Sequence, residues 1–235
     1  LPLMLCAAVA TGALCGGLNG WLVTRWKLPS IVVTIGTLSL YRGLAQVVLG
    51  DQAITGYPET LSTWGNGSIG DLIGQPGFIV PIEFGVMLLM AIFVGLFLHA
   101  TVHGRRVYAI GANPQAARVS GINIGNHLIK VYAVAGLLSG LAGVMTAARA
   151  QSGQPGMGVA YELDAIAAAV IGGTSLQGGV GRITGTLIGT IILGVVMSGF
   201  TFLKVGAYYQ EIVKGLIIVA AVVIDQQRQN KRRKA

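Results

Sequence analysis

Residues 183–203 read ITGTLIGTIILGVVMSGFTFL, and no side chain in this run is charged. An α-helix needs about 20 predominantly apolar residues to cross the hydrocarbon core of a bilayer. Similar apolar elements recur along the whole chain, at about 1–24, 31–50, 78–100, 128–148, 161–174, 183–203 and 210–224. The pattern predicts an all-α fold, a polytopic transmembrane helical bundle with about seven spans, of which 161–174 is the shortest.

The composition supports this prediction over the whole chain. Of its 235 residues, 53% are hydrophobic and 10% are charged, and the mean hydropathy is +0.72. A soluble domain carries about 25% charged residues. The 36 glycines are typical of membrane helices that approach each other closely. We therefore treat 1–235 as a single transmembrane domain. We also expect an N-terminally truncated chain with further spans upstream, because Leu1 lies inside an apolar element and is not Met.

Basic residues indicate which loops face the cytoplasm, because cytoplasmic loops of membrane proteins carry an excess of Lys and Arg. The segments 25–30 and 101–127 and the tail 225–235 are basic, whereas 51–77 contains acids and neither Lys nor Arg. This distribution predicts that the first three lie inside and that 51–77 lies outside. The net charge of +8 is then explained by orientation and contacts with lipid headgroups, and nucleic-acid binding is not expected.

The same orientation decides whether the short element 161–174 crosses the membrane. Both 128–148 and 183–203 must run outward if the loop 101–127 and the C-terminus are cytoplasmic. An inward crossing by 161–174 satisfies this condition, and it places 175–182 in the cytoplasm.

Between two apolar elements lies the polar sequence GANPQAARVSGIN, residues 111–123. Asn113 is a good N-cap, Pro114 suits the first helical position, and Gly121 suits the left-handed position that follows a helix. These residues predict a helix over 114–120. A helix this short is marginal in water, so we expect either lipid headgroups or a partner to hold it.

The side chains of this helix divide into two faces. The first is small and permits close approach by a partner surface; it consists of Ala116, Ala117 and Ser120. The second consists of Gln115, Arg118 and Val119, and its guanidinium is a bidentate donor. We expect the small face to lie against the partner.

Charged residues inside predicted spans are candidates for a solute pathway, because a charge is costly in lipid and must face protein or water. Arg42 lies within the second apolar element. Glu162 and Asp164 enter the fifth element from outside, and they are either a polar lip of a solute pathway or acids that meet a helix dipole favourably. Glu211 and Lys214, one helical turn apart, are expected to pair with each other.

The sequence GGTSLQGGVGRITG, residues 172–185, is rich in glycine but does not match a nucleotide-binding loop. Gly173 and Gly178 have the required spacing, yet Gly179 stands where the motif needs Lys, and a predicted span precedes it instead of a strand. We interpret the sequence as a tight turn between two packed helices, with Arg182 as an anchor.

The polar helix carries a resemblance to a known family. GRRVYAIGANPQAARVSGINI, residues 104–124, resembles the cytoplasmic loop of ABC importer permeases, in which a coupling helix docks on an ATPase. Ala116, Ala117 and Gly121 fit the degenerate EAA…G pattern of such loops, although Gln115 replaces its Glu. The resemblance implies that 113–121 is the ATPase-coupling site.

Three further motifs resemble the ribose, galactose and xylose branch of these permeases, the branched-chain amino acid/ribose permease family. They are LPSIVVTIGTLSLYRGLAQVVLG (28–50), YELDAIAAAVIGGTSLQGGVGRITGTLIGTIILG (161–194) and YYQEIVKGLIIVAAVVID (208–225). The resemblance covers essentially the whole chain. It implies the multi-pass transmembrane subunit of an ABC importer that moves a ribose-like monosaccharide across the bacterial inner membrane by alternating access.

The resemblance also implies three protein partners. These are a cytoplasmic ABC ATPase, which binds and hydrolyses ATP, a periplasmic sugar-binding protein, and a second permease chain that is either identical or a close paralogue. This chain is then not an enzyme, and we expect no catalytic residue, cofactor or metal ligand in it. The outer segment 51–77 is either a docking surface for the soluble partner or a mobile connector.

Two alternatives stay open at this point. The first is a different solute for the same family, such as rhamnose, an autoinducer-type sugar, a nucleoside or a branched-chain amino acid. The second is an ion-coupled secondary transporter, which would carry inverted repeats and several acids at the membrane midplane. Of the eight acids, none lies convincingly at the centre of a predicted span, which argues against the second alternative.

Overall fold

The computed structural model describes residues 2–50, 52–74 and 79–234, and helices dominate it. In chain order the elements are α1 (Pro2–Arg25), α2 (Ser30–Leu49), β1 (Ile54–Thr55), α3 (Glu59–Asn66), α4 (Ile69–Ile73), α5 (Ile82–Ala100), α6 (Val102–Ala112), α7 (Pro114–Val119), α8 (Ile124–Ala150), β2 (Ser152–Gly153), α9 (Tyr161–Ile171), α10 (Ile183–Phe202) and α11 (Ala207–Lys234). The prediction of a polytopic helical membrane fold is confirmed.

Five helices of the described residues are long and apolar enough to cross a membrane: α1, α2, α5, α8 and α10. Their large apolar side chains are extensively exposed, as expected of surfaces that lipid covers. The fifth predicted element corresponds to α9, which has 11 residues and rises only about 16 Å. This is about half of the hydrocarbon thickness, so α9 alone does not cross, and the count of seven spans stays a prediction.

The last predicted span lies within α11, a helix of 28 residues. The sequence pattern separated an apolar element, 210–224, from the basic tail 225–235. In the structure one helix runs without interruption from Ala207 to Lys234. The change from apolar to basic composition therefore does not end the helix.

The chain divides into two compact units, of which the first combines Leu1–Leu89 with Asn123–Gly158. Its main contact is between α1 and α8, which run antiparallel. A Cβ atom on Gly136 would collide with the carbonyl group of Gly12 and would lie 3.0 Å from the Cα atom of Gly16. Such close approach of two backbones requires glycine, and it is the packing expected of membrane helices.

Contacts within the same unit bear on part of the predicted membrane orientation. Gly125, at the start of α8, lies beside Thr24, at the end of α1. The turn 25–30 and the start of α8 therefore lie at the same end of this helix pair, as the charge pattern predicts. Tyr41 of α2 ties that helix to α1, because its hydroxyl donates a hydrogen bond to the carbonyl oxygen of Cys15 at 3.1 Å.

The described part of the acidic segment 51–77 is folded against the C-terminal end of α8. β1 pairs with β2 in antiparallel register, and Gly65 of α3 lies against the backbone of Ala148. Arg149 forms a 2.9 Å ion pair with Glu83 at the start of α5. The contacts of β1 and α3 place the described part of this segment on the same side of the membrane as the end of α8, and its role as docking surface or mobile connector stays a prediction.

A capping box fixes the short helix α4 in this segment. The hydroxyl of Ser68 accepts a hydrogen bond from the N–H of Asp71, and the N–H of Ser68 donates to the Asp71 carboxylate at 3.0 Å. Both hydrogen bonds lower the pKa of the Asp71 carboxyl group, and the bond from the Ser68 backbone has the larger effect. The carboxylate is therefore charged at neutral pH, and it holds the first turn of α4 in place.

The second unit combines Met90–Ile122 with Val159–Ala235. Within it α9 and α10 form a hairpin of closely packed helices. A Cβ atom on Gly185 would collide with the carbonyl oxygen of Gly172, and one on Gly189 would collide with that of Ala168. The helix α11 packs on the same α9, and α6 leads directly into α7 through Asn113.

Candidate functional site

The helix α7 begins as the sequence predicts. The side-chain oxygen of Asn113 accepts hydrogen bonds from the N–H groups of Gln115 and Ala116, both at 3.0 Å. Pro114 occupies the first helical turn, where its missing N–H leaves no bond unmade. The predicted N-cap is confirmed, and two of the donors that a helix start leaves unpaired are satisfied.

The C-terminal end is closed by a left-handed glycine. Gly121 has φ +79°, and its N–H donates to the carbonyl oxygen of Arg118 at 3.0 Å. The N–H of Ile122 donates to that of Ala117 at 3.1 Å, which completes a Schellman motif. The helix ends at Val119, one residue earlier than predicted, with Ser120 as its C-cap. Both ends of α7 are thus fixed by local hydrogen bonds.

The exposure of the side chains on the two faces of α7 differs from the prediction. Ala117 is only 4% exposed, so it is buried within this chain, whereas Val119 is 90% exposed. Ala116, Arg118 and Ser120 are also exposed. Ala117 therefore offers little surface to a partner in this structure, and its place in the coupling site stays a prediction. A helical wheel shows which residues share a face, but it does not show which face the rest of the chain covers.

The glycine-rich turn between α9 and α10 is seated on the end of α6. A Cβ atom on Gly178 would lie 2.9 Å from the carbonyl oxygen of Gly111, and one on Gly179 would lie 2.7 Å from the Cα atom of Ala112. The hydroxyl of Tyr108 donates a hydrogen bond to the carbonyl oxygen of Gly181 at 3.0 Å. The loop 101–122 and this turn therefore lie on the same side of the membrane, as the charge pattern predicts.

The acids of α9 lie in its first turn, and Asp164 has a partner that sequence reasoning missed. The ammonium group of Lys214 on α11 lies 2.7 Å from Oδ1 of Asp164. The expected pair of Glu211 with Lys214 was wrong, and the Glu211 side chain is exposed. Glu162 is also exposed. The signal that pointed to Lys214 was its charge within an apolar run, but the sequence did not identify its partner.

The remaining pathway candidate, Arg42, belongs to the first unit. It lies in the second half of α2, and its side chain is half-buried. Glu162 and Asp164 belong to the second unit. Each unit thus contributes at least one charged residue from within or beside an apolar helix, and the role of all three in a pathway stays a prediction.

Comparison with known proteins identifies the family. The sequence profile of the family described as "Branched-chain amino acid transport system / permease component" matches residues 1–222. The ribose import permease protein RbsC of Escherichia coli is 42% identical over 224 residues, which cover 95% of this chain and 68% of that protein. No solved structure gives a significant match.

Two further relatives are named for other sugars. The galactose/methyl galactoside import permease protein MglC of Haemophilus influenzae is 35% identical over 236 residues, 99% of this chain and 69% of that protein. The L-arabinose ABC transporter permease protein AraH of Azospirillum brasilense is 37% identical over 229 residues, 96% of this chain and 65% of that protein. An ion-coupled secondary transporter is therefore set aside, and the chain belongs to the family of membrane permeases of ABC transporters described as branched-chain amino acid transport system permease components, which are not enzymes.

Proposed function

We propose that this chain is the transmembrane subunit of an ATP-driven importer that moves a ribose-like monosaccharide across a bacterial inner membrane. Three relatives named for ribose, galactose and arabinose support a sugar as the solute, and the ribose permease is the most similar of those three. Rhamnose, an autoinducer-type sugar, a nucleoside or a branched-chain amino acid are the alternative solutes within the same family.

The observation that carries the proposal is the exposed face of α7. A helix of six residues is too short to be stable alone, yet here its own caps close it at both ends. It presents an isolated valine, Val119, at 90% exposure beside the exposed Arg118. Arginine is enriched among the residues that contribute most to binding at interfaces, and the exposed valine beside it offers apolar surface that a partner cleft gains free energy by covering.

In this proposal a cytoplasmic ABC ATPase binds and hydrolyses ATP, and 113–121 couples it to the permease. Closure of the ATPase on ATP displaces α7, and the displacement switches the spans from outward to inward access. In this proposal the C-terminal tail 225–235 is cytoplasmic, because its sequence is rich in basic residues, which favour the side of the membrane with anionic lipid headgroups. A second permease chain completes the pathway between two subunits.

The opposite side of the membrane receives the sugar. The described part of 51–77, packed on the end of α8, provides a folded surface on which a periplasmic sugar-binding protein docks. Arg42, Glu162 and Asp164 are each a separate candidate for contact with the sugar, because charged groups that face a water-filled path hydrogen-bond to hydroxyl groups. Release requires that these contacts be few and weak.

The proposal is tested in proteoliposomes that contain the permease, its ATPase and its sugar-binding protein. We expect ATP-dependent uptake of radiolabelled ribose, and we expect Val119→Asp to abolish both uptake and sugar-stimulated ATP hydrolysis. Val159→Asp is the matched control, because Val159 is an exposed valine that lies beyond α8, away from α7 in the chain. ATP hydrolysis that responds to sugar equally in the Val119→Asp and wild-type transporters would show that α7 does not couple the ATPase.

The solute is tested in the same vesicles by competition. Unlabelled ribose, galactose and arabinose are each added in excess over labelled ribose, and we expect ribose to compete most strongly. If the vesicles take up a nucleoside or a branched-chain amino acid and no sugar, that compound is the solute. The ATP-driven mechanism would then still hold.

A further inference from the structure

The turn between α9 and α10 exposes apolar side chains that the proposed function does not use. Leu176 is 55% exposed and Val180 is 48% exposed, and Arg182 is exposed as well. All three lie outside the helices of the hairpin. Burial of a leucine or valine side chain contributes about 1.5–3 kcal/mol, so an exposed pair on one short turn is a favourable place for a partner to cover.

The turn has a fixed conformation, so its exposed side chains are held ready to bind. The N–H of Ser175 donates to the carbonyl oxygen of Val180 at 2.9 Å, and the N–H of Gly178 donates to that of Ser175 at 3.2 Å. Gly178 and Gly179 have φ +93° and +75°, values that only glycine adopts without strain. A preorganised surface of this kind loses little conformational freedom on binding.

The turn also lies next to the coupling helix in the fold. Gly179 is in contact with Ala112, which directly precedes Asn113, the N-cap of α7. The hydrogen bond from Tyr108 to Gly181 holds the turn on α6 from a second direction. The turn is therefore in contact with the residue that leads into α7, so a partner that covers α7 has the turn beside the start of that helix.

We propose that the turn 174–182 is a second docking element for the same ATPase, with Leu176 as its apolar anchor and Arg182 as its charged rim. The inference rests on the proposed function, since it adds a contact to the same partner. Arg118 on α7 and Arg182 on the turn are both exposed, so the two elements together match an ATPase surface with apolar pockets and acidic rims.

A second contact with the ATPase changes which helices of the permease the ATPase displaces. Displacement of α7 alone acts on α6, the helix against which it packs. Displacement of the turn acts directly on the α9–α10 hairpin, and α9 carries Asp164, whose ion pair with Lys214 reaches α11. Movement of one ATPase surface thus displaces α9 together with α10 and α11, the two helices that pack against it.

The first test measures the affinity of the ATPase for the complete permease in nanodiscs. We expect Leu176→Asp to weaken it about tenfold, because a buried apolar anchor at an interface accounts for about that factor or more. Leu203→Asp is the matched control, since Leu203 is an exposed leucine at the other end of α10. Equal affinity for the Leu176→Asp and wild-type permeases would overturn the proposal.

The second test needs no loss of function. Cys6 and Cys15 are replaced by alanine, Leu176→Cys is introduced, and the thiol is labelled with a photoactivatable crosslinker in the assembled transporter. We expect the label to capture the ATPase. Capture of lipid alone or of a second copy of this chain would assign the turn to that occupant and overturn the proposal.

The two proposals fail in different ways. If Val119→Asp abolishes sugar-stimulated hydrolysis while position 176 neither captures the ATPase nor changes its affinity, the function stands and the second docking element is wrong. If neither position affects the ATPase, the coupling assignment itself fails.

Discussion

The ammonium group of Lys214 lies 2.7 Å from Oδ1 of Asp164, and this ion pair joins α11 to the first turn of α9. Both side chains are partly buried, and both helices are rich in apolar residues. When one partner of such a pair is removed, the other charge is left without compensation in a poorly solvated position, and this costs more than the pair itself contributes. The pair is therefore a sensitive probe of the second unit.

The first prediction concerns this pair. We expect Lys214→Met and Asp164→Asn each to lower the thermal unfolding midpoint of the purified permease, and the double variant to recover part of the loss. A double-mutant cycle is expected to give a coupling free energy of about 0.5–3 kcal/mol, the range for residues in direct contact.

The control for this cycle is Glu211→Gln. Because the exposed Glu211 is not the partner of Lys214, we expect its coupling with Lys214→Met to lie within the error of additivity, about 0.3–0.5 kcal/mol. A stronger coupling of Lys214 to Glu211 than to Asp164 would restore the pairing expected from the sequence.

Local features of the coupling helix were predictable from the sequence. Asn113, Pro114 and Gly121 each have a stereochemical role that depends only on neighbours within a few residues. The bonds of Asn113 and the positive φ of Gly121 confirm these roles. The charge distribution also predicted that 25–30 lies at the same end as the start of α8 and that 101–122 lies beside the glycine-rich turn, while the side of the C-terminal tail stays a prediction.

Features that depend on distant parts of the chain were not predictable. The partner of Lys214 lies 50 positions earlier, and a helical period relates residues only within one helix. The burial of Ala117 was not predictable either, because a helical period does not show which face the neighbouring elements cover. The length of α9 was overestimated because the apolar pattern continues through Gly172 and Gly173, where the helix has already ended.

The second prediction concerns the contact of α1 with α8. We expect Gly136→Ala to destabilise the permease by about 1–3 kcal/mol, the range for overpacking, because its Cβ atom would meet the backbone of Gly12 and Gly16. Gly143→Ala on the same helix is the control, since nothing lies within 4 Å of a Cβ atom there. Thermal unfolding in detergent measures both, and equal midpoints would contradict the close approach of the two backbones.

The third prediction concerns the N-cap of α7. We expect Asn113→Ala to remove both hydrogen bonds to Gln115 and Ala116, which costs about 0.5–2 kcal/mol, and to lower sugar-stimulated ATP hydrolysis. Asn113→Ser is the matched control, because serine caps a helix almost as well as asparagine. If the serine variant loses as much stimulation as the alanine variant, Asn113 acts through direct contact with the ATPase and not through the cap.

The fourth prediction separates the buried and exposed alanines of α7. Ala117 is 4% exposed, so a leucine there must displace neighbours of this chain, and we expect Ala117→Leu to loosen the loop at a cost of about 1–3 kcal/mol. Ala116 is exposed, so Ala116→Leu leaves the fold of the permease unchanged and acts only when the ATPase is bound. Limited trypsin cleavage at the exposed Arg118 measures the loop in the permease alone, and it is expected to accelerate for Ala117→Leu only. Equal cleavage of the two variants would mean that the burial of Ala117 does not hold α7 in place, and the docking face would again include it.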